Sequence, residues 1–445
     1  MFDSFFKFDE NGTDYKTEII AGITTFLAMA YILGVNPSML VEGGMPATAV
    51  FFSTAIASGI ACIIMGLVAK FPVGLAPGMG LNALFTYTII LEMGSSWEAA
   101  LAAVFISSII FLIITVSGLR EAILNVIPID LKLGIGAGIG FFLAFLGFKG
   151  AGIVVSDSST LVAMGNLLAP STILALIGML ITLVFHIKKI PAAVFFGMLI
   201  TAVLGVIFSF LGFGTGNPLM PSIPAQVISV NFDMSLFGGF LSGFGQLFSN
   251  IPNLFMMVFS LLFVTFFDTT GTLMSLGRQC GFIDEEGQAV GIENAFLSDA
   301  VGGIVGSICG TSTVTAFVES ATGIGMGAKT GLAAIVTGIL FLLSVFIAPL
   351  ILSLFTPSVT AAALVIVGFL MMAQLDDVHW GNQVIAASVF MTIIMMILSY
   401  SISLGIAWGF LAYFVGSIAE GRYKEIGWEM YVLVIVFLVY LFFGL

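Results

Sequence analysis

Asp268, in LLFVTFFDTTGTLMSL, and Glu319, in TSTVTAFVESATGIGMG, are carboxylates set in apolar, Gly- and Thr-rich sequence, with no Lys or Arg within a helical turn. An ionisable group at membrane depth costs at least about 2.5 to 3.5 kcal/mol, so it marks a substrate, ion or proton site that faces a cavity. Such a carboxyl can take up and release a proton, or stay charged and accept hydrogen bonds from a polar ligand. Thr269, Thr270 and Thr272 flank the first acid; Ser312, Thr313, Thr315, Ser320 and Thr322 flank the second. Each hydroxyl either meets a ligand or satisfies backbone released from helical bonding. Asn82, in GMGLNALF, adds an amide that reads as a site group or as an interhelical hydrogen bond. Asp299, in FLSDAVGG, is a third acid, expected to brace the site or to take part in proton coupling rather than to touch a ligand. Phe85 and Phe317 are candidates to stack on a planar ligand. Glu92 and Glu121 fall at segment ends and are expected to be solvated.

The rest of the chain says what must position these groups. Its 445 residues are 60% hydrophobic and only 8% charged, with a mean hydropathy of +1.20. An ordinary soluble domain is about 25% charged, so this is an all-α polytopic membrane protein. The net charge of -12 comes from acids scattered over loops and points to no nucleic-acid partner. Three cysteines without CxxC spacing and two histidines argue against a disulfide framework or a metal centre. The polar start MFDSFFKFDENGTDYKTE does not read as a cleavable signal peptide. No GxSxG, HExxH, P-loop or strand-borne GxGxxG is present, and GIGMGAKTG lacks the GK[ST] that a phosphate loop needs. These absences leave no expectation of an enzyme, a cofactor or ATP-driven pumping.

Apolar windows lie near residues 19–40, 48–69, 73–91, 98–118, 133–148, 170–187 and 191–212 in the first half. The second half shows them near 250–275, 293–309, 313–328, 331–354, 358–374, 383–398 and 401–418. The total is about 14, and a last stretch from Trp428 to Leu445 reads as a further span or an interfacial helix. With this order, Lys7, Lys16, Lys70, Arg120, Lys132, Lys188, Lys189, Arg278, Lys329, Arg422 and Lys424 share one face, which the positive-inside rule places in the cytoplasm with the N-terminus. Lys149 is the exception, in an outer loop.

The third window, FPVGLAPGMGLNALFTYTII, carries Pro77, Gly78 and Gly80 in its middle, and the tenth, ICGTSTVTAFVESATGIGMGAKTG, is crowded with Gly, Thr and Ser. Both read as interrupted helices, and non-helical backbone at membrane depth must be buried in protein or line a water-filled cavity. Third of the first seven matches third of the second seven, the pattern of an inverted repeat with its site at the midplane. Gly22, Gly59, Gly66, Gly140 and Gly205 read instead as close helix packing.

ESATGIGMGAKTGL, FFDTTGTL, APGMGLNA and TEIIAGITTFLAMAYILGVNP together resemble the nucleobase-ascorbate transporter (nucleobase:cation symporter) family, in its adenine, guanine and hypoxanthine permease branch. The resemblance implies 14 spans in a 7+7 inverted repeat. It implies a cytoplasmic segment 1–18, a core domain from 19–118 (spans 1 to 4) and 231–354 (spans 8 to 11), and a gate domain from 119–230 (spans 5 to 7) and 355–445 (spans 12 to 14 and the C-terminal segment). The family's acidic substrate positions fall on Asp268 and Glu319, and a polar position of its third span falls on Asn82. The uracil and xanthine branch commonly has Glu at the eighth-span position, so Asp268 fits the purine branch and leaves room for a larger ring.

The resemblance leads to an expectation of proton-coupled uptake of hypoxanthine, guanine or adenine across the plasma or inner membrane. Glu319 is expected as the main ligand contact and Asp268 as proton carrier, with Asn82, Thr272, Ser320, Thr315 and Phe317 around the substrate and Asp299 in support. H⁺ is the expected coupling ion. Membrane lipids surround the protein, and homodimers are common in the family, so a homodimer is an expected assembly. The competing readings are an anion transporter of the same architecture, a Na⁺-coupled symporter, and a channel or membrane-embedded enzyme.

Overall fold

The computed structural model describes residues 5–118, 128–214, 216–282, 292–423 and 426–443. Arg120, Glu121 and Lys424 lie outside the described residues. Among the described residues the chain is predominantly helical, with two short antiparallel strand pairs.

Helix α1, Tyr15–Met29, starts where the Asp14 carboxylate accepts the Thr17 amide at 2.8 Å, a standard side-chain cap. It runs through an offset at residues 30–31 into α2, Ile32–Leu40, so that one span carries a joint at Tyr31. Next come α3, Ala47–Ile64, widening into a π-type turn over Met65–Ala69; strand β1, Leu75–Pro77; and α4, Met79–Ala83, continued by wider turns over Leu84–Glu92. Then follow α5, Trp97–Ser117; α6, Ile129–Gly150; strands β2, Val154–Asp157, and β3, Leu161–Met164; α7, Pro170–Ile187; and α8, Ala193–Phe210. The second half has α9, Phe240–Ser249; α10, Ile251–Cys280; α11, Ile292–Cys309; β4, Val314–Ala316; α12, Ala321–Gly325; and α13, Gly331–Ser344. It ends with α14, Ala348–Leu354; α15, Pro357–Met372; α16, Gln383–Leu398; α17, Ile402–Ala419; and α18, Trp428–Phe443.

Among the described residues, ten helical stretches are long and apolar enough to cross a membrane. Four of the expected windows fall short of that, each for a physical reason. The third and tenth are broken by strands; α11 carries Glu293 and Asp299 in 18 residues; α16 has only 16 residues. Two features had no counterpart in the reading of the sequence: the β2–β3 hairpin after α6, and α9, whose Phe240 stacks on Phe105 of α5 at 4.5 Å.

The helices pack in two sets. In one, α3 lies against α13 and α11, α11 against α5, and α1 against α13; in the other, α6 lies against α15 and α16, α16 against α17, and α7 against α8 and α15. Small residues set the separations. A Cβ on Gly59 would meet Leu342 Cγ at 2.6 Å, and one on Gly140 would meet Met371 Cβ at 2.6 Å, so these helices touch backbone to side chain as expected.

Candidate substrate site

Strands β1 and β4 cross antiparallel in the middle of the protein, with Leu75 opposite Ala316, Ala76 opposite Thr315 and Pro77 opposite Val314. All six residues are buried. The two broken windows therefore open as extended chain and become helical only afterwards, at Met79 and at Val318, rather than being helices interrupted midway. The reason is hydrogen bonding: strand against strand, each satisfies the other's amides where lipid would offer nothing. The ladder extends past its ends, with the Gly78 amide donating to the Thr313 carbonyl at 3.1 Å and the Phe317 amide to the Gly74 carbonyl at 3.0 Å. The Gly74 amide donates to Ser320 Oγ at 3.0 Å.

Asp299 of α11 ties this crossing to α10. Its Oδ2 accepts from the Thr269 hydroxyl at 2.8 Å, and its Oδ1 accepts from the Thr315 hydroxyl at 3.0 Å and the Ala316 amide at 2.7 Å. Thr269 and Thr315 are also 2.9 Å apart, and all three residues are essentially inaccessible. The Thr315 hydroxyl, expected around a ligand, is thus engaged by Asp299 and Thr269, and that of Ser320 by the Gly74 amide.

The neighbouring acid is free by comparison. Asp268 is half-buried and, among the described residues, has no hydrogen-bond partner. Its carboxylate points at the start of α4, where a Cβ on Gly78 would lie 3.6 Å from Oδ2 and 2.7 Å from Thr315 Cγ2. Glycine there is what lets strand, threonine and carboxylate meet. Thr272, one turn further along α10, is half-buried beside it.

Glu319 stands half-buried on the turn Val318–Ser320 that follows β4 and accepts a short hydrogen bond from the Tyr31 hydroxyl. Tyr31 is wholly buried at the joint between α1 and α2, and its ring lies 6.4 Å from that of Phe317. Phe317 is buried at 5% exposure and packs on Tyr31, the aromatic whose hydroxyl meets the Glu319 carboxyl, and Phe85 is sealed in the interior at 0% exposure. Asn82, in the first turn of α4, is fully buried; its Oδ1 accepts from the Ser312 hydroxyl, and its Nδ2 has no partner among the described residues.

Asp268 precedes Thr269, whose hydroxyl donates to Asp299, so these two acids neighbour one another across α10 and α11. Among the described residues none of Asp268, Asp299 and Glu319 belongs to an ion pair, and no cluster of His, Cys, Asp and Glu is placed to hold a metal ion. The arrangement offers carboxylate acceptors and one unpaired amide donor, chemistry suited to a neutral molecule with N–H donors.

Three residues with structural weight went unread in the sequence. Tyr31 sits in the stretch MAYILGVNP, but a lone tyrosine in an apolar run carries no signal for a partner 288 positions away. Asn36 donates to Thr54 at 2.7 Å and to Thr311 at 2.9 Å. Glu18, two residues from Lys16, has the look of a solvated end charge; it is fully buried and accepts from the amides of Lys329 at 2.7 Å, Thr330 at 3.1 Å and Ala333 at 3.3 Å, capping α13.

The sequence profile Xan_ur_permease, described as the Permease family, matches residues 16–420. The chain belongs to the Permease family. The permease is 44% identical to the guanine/hypoxanthine permease PbuG of Bacillus subtilis (strain 168), over 99% of each chain. It is 38% identical to the adenine permease AdeP of Escherichia coli (strain K12), over 96% of this chain and 92% of that one. Among solved structures it shares the fold of the transmembrane domain of the cyanobacterium bicarbonate transporter BicA, with a TM-score of 0.63 at 15% identity over 86% of this chain and 96% of that one. SLC26A9 gives a TM-score of 0.62 at 12% identity, covering 90% of this chain and 65% of that one. The permease is thus an integral, multi-pass membrane transport protein for nucleobases and not an enzyme.

Proposed function

We infer that this permease imports purine nucleobases, namely hypoxanthine, guanine and adenine, by proton symport through alternating access. The observation that carries the reading is a pair of carboxyls, Asp268 and Glu319, without ion-pair partners at the crossing of two broken segments. A neutral purine donates ring N–H groups to Glu319 and Asp268, while Asn82 Nδ2 offers a donor to a ring nitrogen or carbonyl. Phe317 supplies the ring face. Thr272 completes the wall beside Asp268. Asp268 is the proton carrier, because Glu319 already has the Tyr31 hydroxyl and Asp299 has three donors, so Asp268 is the acid with no fixed partner.

The architecture is 14 spans in a 7+7 inverted repeat. A core domain of 19–118 and 231–354 moves against a gate domain of 119–230 and 355–445, and the two helix packing sets support this division. The N-terminus is cytoplasmic, the membrane is the plasma or inner membrane, and the assembly is a homodimer. The substrates for which PbuG and AdeP are named support purines over pyrimidines. Bare carboxylates at the crossing disfavour an anion as substrate, despite the fold shared with a bicarbonate transporter.

Radiolabelled adenine, guanine, hypoxanthine, xanthine and uracil, offered at several external pH values to cells lacking their own permeases, test the reading. Purine uptake that rises as external pH falls and persists without external sodium is expected. Uptake that needs sodium, or competition by sulfate or bicarbonate but not by hypoxanthine, contradicts it.

A further inference from the structure

Lys149, the basic residue that falls on the outer face against the trend of the chain, has a structural partner set that explains its position. It is the penultimate residue of α6, and its Nζ donates to the Tyr400 hydroxyl at 2.9 Å, lies 4.9 Å from the Tyr400 ring centre and stands 3.9 Å from Glu42 Oε2. Glu42, in the turn after α2, accepts from the Tyr87 hydroxyl at 2.8 Å on its other oxygen. Tyr87, in the wider turns that continue α4, is 3% exposed, and its ring meets the Tyr400 ring edge-on at 5.3 Å. Phe142 and Phe145 of α6 pack on the same ring at 5.3 and 6.1 Å.

Tyr400, between α16 and α17, holds φ +59°, a left-handed conformation that bulky L residues rarely adopt. Such a conformation persists only where the surroundings over-determine it, and a box of three aromatic rings with a lysine on the hydroxyl does so. An ion pair at 3.9 Å between groups about half exposed contributes little alone. The hold comes from the chain of contacts, in which a buried tyrosine fixes Glu42 and a strained tyrosine fixes Lys149.

Glu42 and Tyr87 come from the turn after α2 and the α4 segment, on the side of β1 and Asn82. Lys149 and Tyr400 come from α6 and the α16–α17 turn, in the other packing set. We propose that Glu42, Tyr87, Lys149 and Tyr400 form a latch that closes the outer mouth of the transport path and breaks each time the site opens to that side. The proposal rests on the alternating-access reading above. It also assigns the conformation: with the latch made, this structure is closed on the outer face. Opening removes Lys149 and Tyr400 from Glu42 and Tyr87 together, since the four are linked in series.

The test uses the full-length protein in oriented membrane vesicles, with Ile139→Cys as reporter. Ile139 is on α6, further into the membrane than Lys149, is 5% exposed, and lies against Gly80 of α4. A membrane-impermeant maleimide reaches it from the outer face only when the latch is open, and the same chain without the reporter corrects for Cys62, Cys280 and Cys309, which are buried. Lys149→Met is expected to raise the outer-face labelling rate about tenfold by shifting the population toward the open state. Lys149→Arg, and the exchange Glu42→Lys with Lys149→Glu, are expected to keep it slow. Equal rates with Lys149 and with Lys149→Met, or acceleration only from the inner face, overturn the latch. Labelling needs no substrate, so that result leaves the purine reading standing, whereas absent purine uptake with the expected labelling overturns only the purine reading.

Discussion

Replacing Asp299 separates a brace from a proton carrier. Asp299 accepts three hydrogen bonds, from Thr269, Thr315 and the Ala316 amide, and all of them join α10 and β4 to α11. Interhelical hydrogen bonds in membranes contribute about 0.6 to 1.7 kcal/mol each, so Asp299→Ala should cost about 2 to 5 kcal/mol. The loss cannot be fully recovered. Thr269 and Thr315, 2.9 Å apart, can pair with each other, but the Ala316 amide is left buried without an acceptor. Asp299→Asn keeps an acceptor for that amide and can turn its own NH₂ toward Thr269, so its cost should be about 1 kcal/mol. Thermal unfolding in detergent, read as the midpoint Tm, should show a large drop for Ala and a small one for Asn. Asp299→Asn should still accumulate purine. Equal Tm values for Ala and Asn would refute the brace, and a folded Asp299→Asn protein that binds purine but no longer responds to a pH gradient would move the proton carrier from Asp268 to Asp299.

Tyr31→Phe keeps the ring beside Phe317 and removes the donor to Glu319; a loss of about 1 to 2 kcal/mol should raise KM for hypoxanthine roughly tenfold with Vmax little changed, and an unchanged KM in uptake assays contradicts the role. Glu18→Ala strips the cap from three amides at the start of α13 and should cost about 0.5 to 2 kcal/mol, seen as a lower Tm in detergent, while an unaltered Tm would show that water replaces the carboxylate there.

The sequence disclosed the parts of the site that are costly. Asp268, Glu319 and Asp299 are legible because charge is rare in an apolar chain, and the Pro77–Gly78 break is legible because helices do not tolerate it. The strand geometry of β1 and β4 was not. Three residues per strand give no usable alternation, and what makes them strands is a partner about 240 residues distant, a tertiary fact. The separate tasks of Asp268 and Asp299 were also only half visible. Both are acids among small residues, and only the positions of Thr269, Thr315 and the Ala316 amide divide a braced carboxyl from an unpartnered one. Glu18 and Tyr31 fail for a similar reason, since each acts through a contact across roughly 300 positions. Lys149 is the converse: an irregularity in the charge pattern that the contacts with Glu42 and Tyr400 account for.

The most direct measurement compares the wild-type permease, Glu319→Gln and Asp268→Asn in proteoliposomes, recording labelled hypoxanthine both as exchange against internal hypoxanthine and as accumulation driven by an inward proton gradient. Wild type should do both, with accumulation collapsing on addition of an uncoupler; Asp268→Asn should exchange but not accumulate, and Glu319→Gln should require much higher hypoxanthine concentrations for either. Uphill accumulation by Asp268→Asn that an uncoupler still abolishes, or wild-type affinity in Glu319→Gln, would contradict the roles assigned to these two carboxyls.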